Sequence, residues 1–284
     1  MSLNAMPMKL TAQRYSNSDR LRQLVTLAAI LGSIAVNTIS NLFPLNGVNI
    51  GVLSNTLFTS VLIIPANYAF AIWGLIYIGL IAFGIYQFQP SQRQNPSLQR
   101  CGYLLVFASL AQCVWIYLFL ARLFPLSLVA MLGILFPLIG MYQRLGIGQQ
   151  RISRQERWFI HIPISVYLGW ITVATVVNVA IALYSLNWNG WGIAPPIWTA
   201  IVMTISTAIA VLIVIKHHDT AYALVMIWAL VAIAIRQINT PLIAMTGVVM
   251  ASVLVVISAT SMYLAATDRP KKRKNGSRRP HRVG

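Results

Sequence analysis

Eight long apolar segments separate the few charged residues of this chain, and they constrain its fold more than any other feature. The segments lie at 23–44, 67–88, 102–123, 125–143, 158–184, 197–216, 221–237 and 241–266. A helix of about 20 apolar residues spans the hydrocarbon core of a bilayer. Of the 284 residues, 58% are hydrophobic and 9% are charged, whereas soluble domains have about 25% charged residues. The sequence therefore predicts an all-α, polytopic membrane bundle of about eight transmembrane helices.

The basic residues indicate how the bundle is oriented. If all eight segments span, 19 of the 21 Lys and Arg residues lie on one side, and only Arg122 and Arg236 lie on the other. Cytoplasmic loops carry an excess of Lys and Arg, so we expect both termini in the cytoplasm and a multi-pass protein, with the plasma membrane as its location. Membrane lipid is the expected contact of the basic residues, and we expect no nucleic-acid partner. Small residues on the helix faces permit a homodimer.

Three of the predicted helices carry stripes of aromatic and amide residues at helical spacing. The stripes are Phe70, Trp73 and Tyr77; Gln112, Trp115 and Phe119; and Trp170, Ala174 and Asn178. Residues three, four or seven apart share one face of a helix, and an amide in hydrocarbon needs a partner. Two interpretations follow: the amides hold helices together while the aromatics fill gaps, or the stripes line a pocket for a flat apolar molecule.

The loop between the first two helices is unusually apolar. Residues 46–66 carry no charge and contain the run Val-Leu-Ile-Ile before Pro65. Such a segment is atypical of an exposed loop. We expect it to lie in the membrane interface or to fold as a lid over the bundle.

The charged and metal-ligating residues indicate no catalytic site. The four acidic residues, Asp19, Glu156, Asp219 and Asp268, all fall outside the apolar segments, whereas coupled transporters and intramembrane hydrolases usually have a carboxylate or His within the membrane. No catalytic or metal-binding motif is present. We therefore predict that the protein is not an enzyme, needs no cofactor and holds no metal.

Together these motifs resemble the TspO/MBR family, the tryptophan-rich sensory proteins related to the translocator protein and peripheral-type benzodiazepine receptor. The resemblance covers about residues 24–190. The residues that carry it are Pro65, Phe70, Trp73, Tyr77, Gln112, Trp115, Phe119, Trp170, Ala174 and Asn178. The sequence departs from the family at Tyr68, where the family usually has Trp, at Gln112, which replaces Asn, and at Pro163, which is displaced.

The resemblance implies a five-helix core at 23–190 with a ligand pocket under the first loop. The expected ligand-binding residues are Tyr68, Phe70, Trp73, Tyr77, Gln112, Trp115, Trp170, Ala174 and Asn178. The remaining parts would be a cytoplasmic segment at 1–22, three additional helices at 191–266, and a basic disordered tail at 267–284. A small apolar ligand, tetrapyrrole-like or sterol-like, is the implied partner, and a bound tetrapyrrole is possible.

Two functions fit these features at the level of sequence. The first is a membrane protein that binds a flat apolar ligand and acts as a sensor or carrier. The alternative is a facilitative transporter of a small apolar or amphipathic solute, for which eight helices would suffice.

Overall fold

Each of the eight predicted segments forms a helix in the computed structural model, which describes residues 6–150 and 152–267. Within those residues the chain contains no strand, so the predicted all-α class is confirmed. The helices are α1 (Met6–Leu42), α2 (Ile50–Thr56), α3 (Ile72–Phe88), α4 (Pro96–Cys101), α5 (Leu104–Leu120), α6 (Phe124–Leu145), α7 (Arg154–Glu156), α8 (Ile162–Ser185), α9 (Pro195–His217), α10 (Thr220–Arg236) and α11 (Pro241–Thr267).

Six of these helices, together with the turns that extend two of them, are long and apolar enough to cross a membrane. The other two long helices, α5 and α10, are apolar but have 17 residues each. At 1.5 Å per residue they measure about 26 Å, slightly less than the hydrocarbon thickness of about 30 Å. The chain is therefore an integral membrane protein, and α5 and α10 are its shortest candidate spans.

The two ends of the chain differ from the sequence-based boundaries. The first helix begins at Met6, well before the apolar run that starts at residue 23, so most of the predicted N-terminal segment continues the helix. At the other end α11 extends to Thr267. The predicted basic tail beyond Thr267 lies outside the described residues.

Five helices form a core in which α8 is central. Helix α1 packs against α3 and α5, α5 packs against α6, and α8 contacts both α6 and α3. Helix α8 continues from a π-helical turn, Arg157–His161. Pro163, in its first turn, lies against Gly79 of α3. A Cβ at Gly79 would lie 3.2 Å from the Cβ of Pro163. The displaced proline thus marks the close approach of α3 and α8.

Helix α10 joins the three additional helices to this core. It packs against α8 on one side and against α9 and α11 on the other. Gly169 of α8 permits the approach, because a Cβ there would lie 3.1 Å from Val225. Gly247 of α11 does the same on the other side, where a Cβ would lie 2.9 Å from Ala234. The extension is therefore packed closely onto the core.

One end of the bundle, which we call the basic end, holds the loops at 89–103, 146–161 and 217–219. The three described acids lie there and are all engaged in structural contacts. Asp219 accepts hydrogen bonds from the Tyr142 hydroxyl at 2.9 Å and from the backbone N–H of Tyr222 at 3.1 Å. Glu156 forms a capping box with Ser153. Each carboxylate thus fixes a helix end or joins two elements.

Asp19 completes the set of acids at the basic end. Its carboxylate accepts a hydrogen bond from Gln99 at 2.9 Å and lies 3.6 Å from Arg22.

The adjacent histidines at the basic end have different partners. A ring nitrogen of His217 lies 3.0 Å from the carbonyl oxygen of Ile147, and one of His218 lies 2.6 Å from the hydroxyl of Ser261. Within the described residues no group of three His, Cys, Asp or Glu side chains could hold a metal ion.

Gly148 provides a test of how the basic end is closed. Its φ is +77°, and a Cβ there would lie 1.6 Å from the carbonyl oxygen of His217. Gly192 has the same φ of +77° but open space around it. Gly148→Ala should therefore destabilise the protein well beyond the cost of about 1–3 kcal/mol expected for positive φ alone. Thermal unfolding of both variants in nanodiscs measures the difference, and equal shifts for Gly148→Ala and Gly192→Ala would contradict the packing described.

Candidate ligand-binding site

A cavity of about 220 Å³ lies at the end of the bundle opposite the basic end, which we call the lid end. It lies between α1, the first loop, the start of α3, α5 and α8, and it is partly open to its surroundings. The lining residues are Asn37, Asn41, Asn49, Ile50, Gly51, Ser54, Pro65, Phe70, Trp73, Trp115, Phe119, Trp170, Val173, Ala174, Val177, Asn178 and Ile181. The three stripes seen in the sequence therefore converge on one cavity.

The aromatic wall of the cavity is built from rings on three helices. Phe70 meets Trp170 edge to face, with ring centroids 5.9 Å apart. Trp115 and Phe119 lie 5.3 Å apart in a tilted arrangement. Such offset contacts between rings stabilise aromatic clusters by about 0.5–1.5 kcal/mol beyond area burial. The wall is thus held in place by contacts within itself.

Asn178 orients this wall from behind. The indole N–H of Trp115 donates to the side-chain oxygen of Asn178 at 2.7 Å, and the amide N–H of Asn178 donates to the Ser127 hydroxyl at 3.1 Å. Ser127 in turn donates to the carbonyl of Phe124 at 2.8 Å. Because the amide is buried and engaged on both sides, Asn178 fixes the plane of Trp115 at the cavity.

The second predicted amide lies one layer deeper. Gln112 donates to the Tyr77 hydroxyl at 2.9 Å and accepts from the Tyr167 hydroxyl at 2.6 Å. Tyr77 stacks on Trp73 with centroids 5.5 Å apart. Gln112 and Tyr77 therefore support the floor beneath Trp73, and neither lines the cavity.

The structure brings six of the nine expected ligand-binding residues to the cavity. They are Phe70, Trp73, Trp115, Trp170, Ala174 and Asn178. Tyr77 and Gln112 lie below it, and Tyr68 points elsewhere: its ring contacts that of Trp228 on α10 at 5.1 Å. Ligand contact by any of the nine remains a prediction.

Four polar lining residues were not among the expected ones. Asn37 and Asn41 of α1 and Asn49 and Ser54 of the loop form the wall facing the aromatic rings. Asn41 donates to the Asn37 carbonyl at 2.9 Å. The one-turn spacing of Asn37 and Asn41 indicated a shared helix face, but the loop residues carried no periodic signal.

The first loop, residues 46–66, folds over the cavity and is called the lid below. Helix α2 lies within it, capped by the Asn49 side chain, which accepts the backbone N–H of Val52 at 2.9 Å. Leu53, Phe58 and Ile64 of the lid are buried. The sequence left open whether this loop lies in the membrane interface or folds as a lid, and its buried residues agree with the second alternative.

Helix α10 grips the lid through backbone and side-chain hydrogen bonds. The N–H of Ala66 donates to the carbonyl of Ala232 at 3.1 Å. Arg236 donates to the Asn55 side chain and, at 3.3 Å, to the carbonyl of Pro65. Gln237, just beyond the helix, donates to the carbonyl of Leu62 at 3.0 Å.

A fourth tie joins α10 to the entrance of α3. The indole N–H of Trp228 donates to the carbonyl of Ala69 at 3.1 Å. In the sequence, Arg236 and Arg122 are the two basic residues separated from the 19 others. This separation was the one available signal that Arg236 contacts the lid. Helix α10 therefore holds the lid and the entrance of α3 from outside the five-helix core.

The architecture of the chain agrees with that of a known family. A multi-pass helical bundle with an aromatic cavity beneath its first loop defines an integral membrane protein of TspO type. The family model described as TSPO-like protein matches residues 23–260, and the chain belongs to that family. The match continues beyond residue 190, through α9 and α10 and into α11, so the additional helices are part of the matched region. No curated protein and no solved structure matches the chain.

Replacing Arg236 tests the grip of α10 on the lid. Arg236→Gln removes a charge-assisted hydrogen bond, a type worth about 1.5–3 kcal/mol, and should increase amide hydrogen exchange across residues 50–66. Arg122→Gln is the matched control, because Arg122 is the other basic residue at the lid end and is exposed. Hydrogen exchange read by mass spectrometry in nanodiscs checks this. Unchanged lid protection in Arg236→Gln would contradict the assignment.

Proposed function

We propose that this protein binds a small apolar molecule in the lid-covered cavity and acts as a sensor or carrier of that molecule. The observation that carries the proposal is the cavity itself: three helices place aromatic rings around one space that a packed lid covers. Ligand sites are typically such concave, mostly apolar spaces with a few placed polar groups.

The composition of the lining indicates what kind of molecule the cavity would hold. Most of its surface is apolar, and an apolar surface gives water few hydrogen-bond partners. Contact with an apolar molecule is therefore favoured over contact with water, which supports binding over a purely structural role for the aromatic stripes.

Binding rather than catalysis is supported by where the acids lie. Asp19, Glu156 and Asp219 are engaged in caps and inter-helix hydrogen bonds at the basic end, and none lines the cavity. A proton-coupled transporter usually needs a carboxylate or His near its solute site, and no carboxylate lines this cavity. The proposed chemistry is ring stacking and hydrogen bonding.

A sensor needs a route from the cavity to the other side of the membrane, and α10 offers one. Its C-terminal end holds the lid through Arg236, while its N-terminal end is capped by Asp219, which also binds Tyr142 of α6. A ligand that displaces the lid would shift α10 and change the contacts at the basic end. We place that end in the cytoplasm of a plasma-membrane protein.

Filling the cavity tests the proposal directly. Ala174→Phe adds a ring on the lining face of α8, whereas Val179→Phe adds the same ring where α8 is exposed. The probes are 5-fluoroindane, followed by ¹⁹F NMR in nanodiscs, and protoporphyrin IX, followed by tryptophan quenching. At least one probe should bind saturably to the wild type and to Val179→Phe, and at least tenfold more weakly to Ala174→Phe.

Empty nanodiscs correct these titrations for partition into lipid. If no probe binds saturably, or if binding is the same in Ala174→Phe and Val179→Phe, the cavity is not a ligand site and the proposal fails.

A further inference from the structure

The loop that joins α8 to α9 carries an exposed group of indole rings, which we call the tryptophan cluster. Trp188 and Trp191 of the loop and Trp198 of α9 contact one another, with ring centroids 5.3–5.7 Å apart. Trp191 is 75% exposed and Trp188 is 36% exposed. None of the three lines the cavity, so ligand binding there does not account for them.

The backbone of this loop is held in a conformation that leaves Trp191 exposed. Four of its residues have positive φ: Asn187 at +55°, Gly190 at +65°, Trp191 at +53° and Gly192 at +77°. A left-handed conformation is uncommon for a bulky residue and persists only where the surrounding contacts impose it. Here the Asn189 side chain accepts the backbone N–H of Trp191 at 3.0 Å, and the indole N–H of Trp198 donates to the carbonyl of Gly190 at 2.7 Å. The loop is thus ordered by its own hydrogen bonds while its largest side chain faces outward.

The position of the loop indicates what surrounds the cluster. The loop lies at the lid end, between the spans Arg154–Ser185 and Pro195–His217, and consists of only nine residues, 186–194. A loop this short between the ends of two spans lies at the boundary between the hydrocarbon and the water. Residues 185–198 carry no charge, and Leu186 is exposed beside the indoles. An uncharged, largely apolar surface therefore faces that boundary.

The indole side chain suits the headgroup and glycerol region of a bilayer. Its ring is apolar and its N–H is a hydrogen-bond donor, and Trp is enriched at membrane interfaces for this reason. The indole N–H groups of Trp188 and Trp191 donate to no acceptor within the residues that the structure describes. They are available to the ester carbonyls and phosphates of phospholipids.

We infer that the tryptophan cluster is an anchor in the membrane interface on the lid side, with Trp191 inserted among phospholipid headgroups. The anchor fixes the depth of the ends of α8 and α9 in the bilayer. Phe58 of the lid contacts Tyr184 at the end of α8, with ring centroids 5.9 Å apart, so the anchored helix end also supports the lid. The inference concerns contact with lipid and does not depend on whether the cavity binds a ligand.

Two lipid-borne spin labels test the depth of Trp191. Full-length protein containing 5-fluorotryptophan is placed in nanodiscs at one copy per disc, and ¹⁹F NMR is recorded. The resonance of Trp191 is the one lost in Trp191→Phe or Trp191→Tyr. The nanodiscs contain phosphatidylcholine with a nitroxide at chain carbon 5, near the glycerol, or at carbon 16, near the bilayer centre. The label at carbon 5 should broaden the Trp191 resonance at least threefold more than the label at carbon 16.

A soluble gadolinium chelate tests the other surroundings that the cluster could have. It should broaden the Trp191 resonance less than a third as much as that of free 5-fluorotryptophan in the same sample. Equal broadening of the two would place the cluster in water and overturn the inference. Shielding of Trp191 from all three agents would place it beneath protein, and equal effects of the two lipid labels would place it away from the interface; each result would also overturn the inference. Trp170, which is 2% exposed, is the internal reference that the chelate should leave unchanged.

Asn189→Ala tests whether the loop backbone holds Trp191 in the interface. Without the side-chain acceptor for the Trp191 N–H, the preference for the label at carbon 5 should fall at least twofold. Asn239→Ala is the matched control, because Asn239 is an exposed amide in the turn between α10 and α11 at the same end of the bundle. An unchanged preference in Asn189→Ala would contradict the role given to the backbone. The wild-type measurements decide the location of the cluster if Asn189→Ala does not fold.

Discussion

The hydrogen bond between the backbone N–H of Ala66 and the carbonyl of Ala232 joins the lid to α10, and the lid in turn covers the cavity. Loops between helices are usually more mobile than the helices they connect. Here the lid is fastened along its length by residues of α10 and its C-terminal end. Of the three additional helices, α10 is thereby joined to the lid of the cavity.

The bilayer explains why the buried polar groups form closed sets. Backbone and side-chain polar groups within hydrocarbon must be satisfied by the protein, and the amides of Asn178 and Gln112 each bind partners on neighbouring helices. These sets fix the relative positions of α3, α5, α6 and α8.

Sequence periodicity predicted much of this arrangement because it encodes helix faces. The stripes on α3, α5 and α8 share faces, and those faces do converge on one cavity. Tyr68 was expected from the family resemblance and not from periodicity; it lies in the 3-10 turn Asn67–Ala71, and its ring contacts Trp228 of α10 instead of lining the cavity. Gln112 matched the expected spacing, yet its amide is engaged by two tyrosines beneath the cavity.

The grip of α10 could not be predicted, because it joins residues about 170 positions apart in sequence. No local pattern records such a contact. The amides and hydroxyl on the facing wall of the cavity belong partly to the lid, whose irregular backbone has no period from which to infer a face. The sequence did show that the uncharged apolar loop and the isolated Arg236 lie on the same predicted side of the membrane.

The central claim, that α10 governs access to the cavity by holding the lid, is tested most directly by a reversible cross-link. Ala66→Cys with Ala232→Cys places one thiol on each of the two residues whose backbones are hydrogen-bonded, and formation of the disulfide is verified before the measurement. The measurement is the dissociation rate of bound 5-fluoroindane before and after reduction. We expect release at least tenfold slower from the oxidised form, with reduction restoring the rate. An unchanged rate with the disulfide formed would contradict the account.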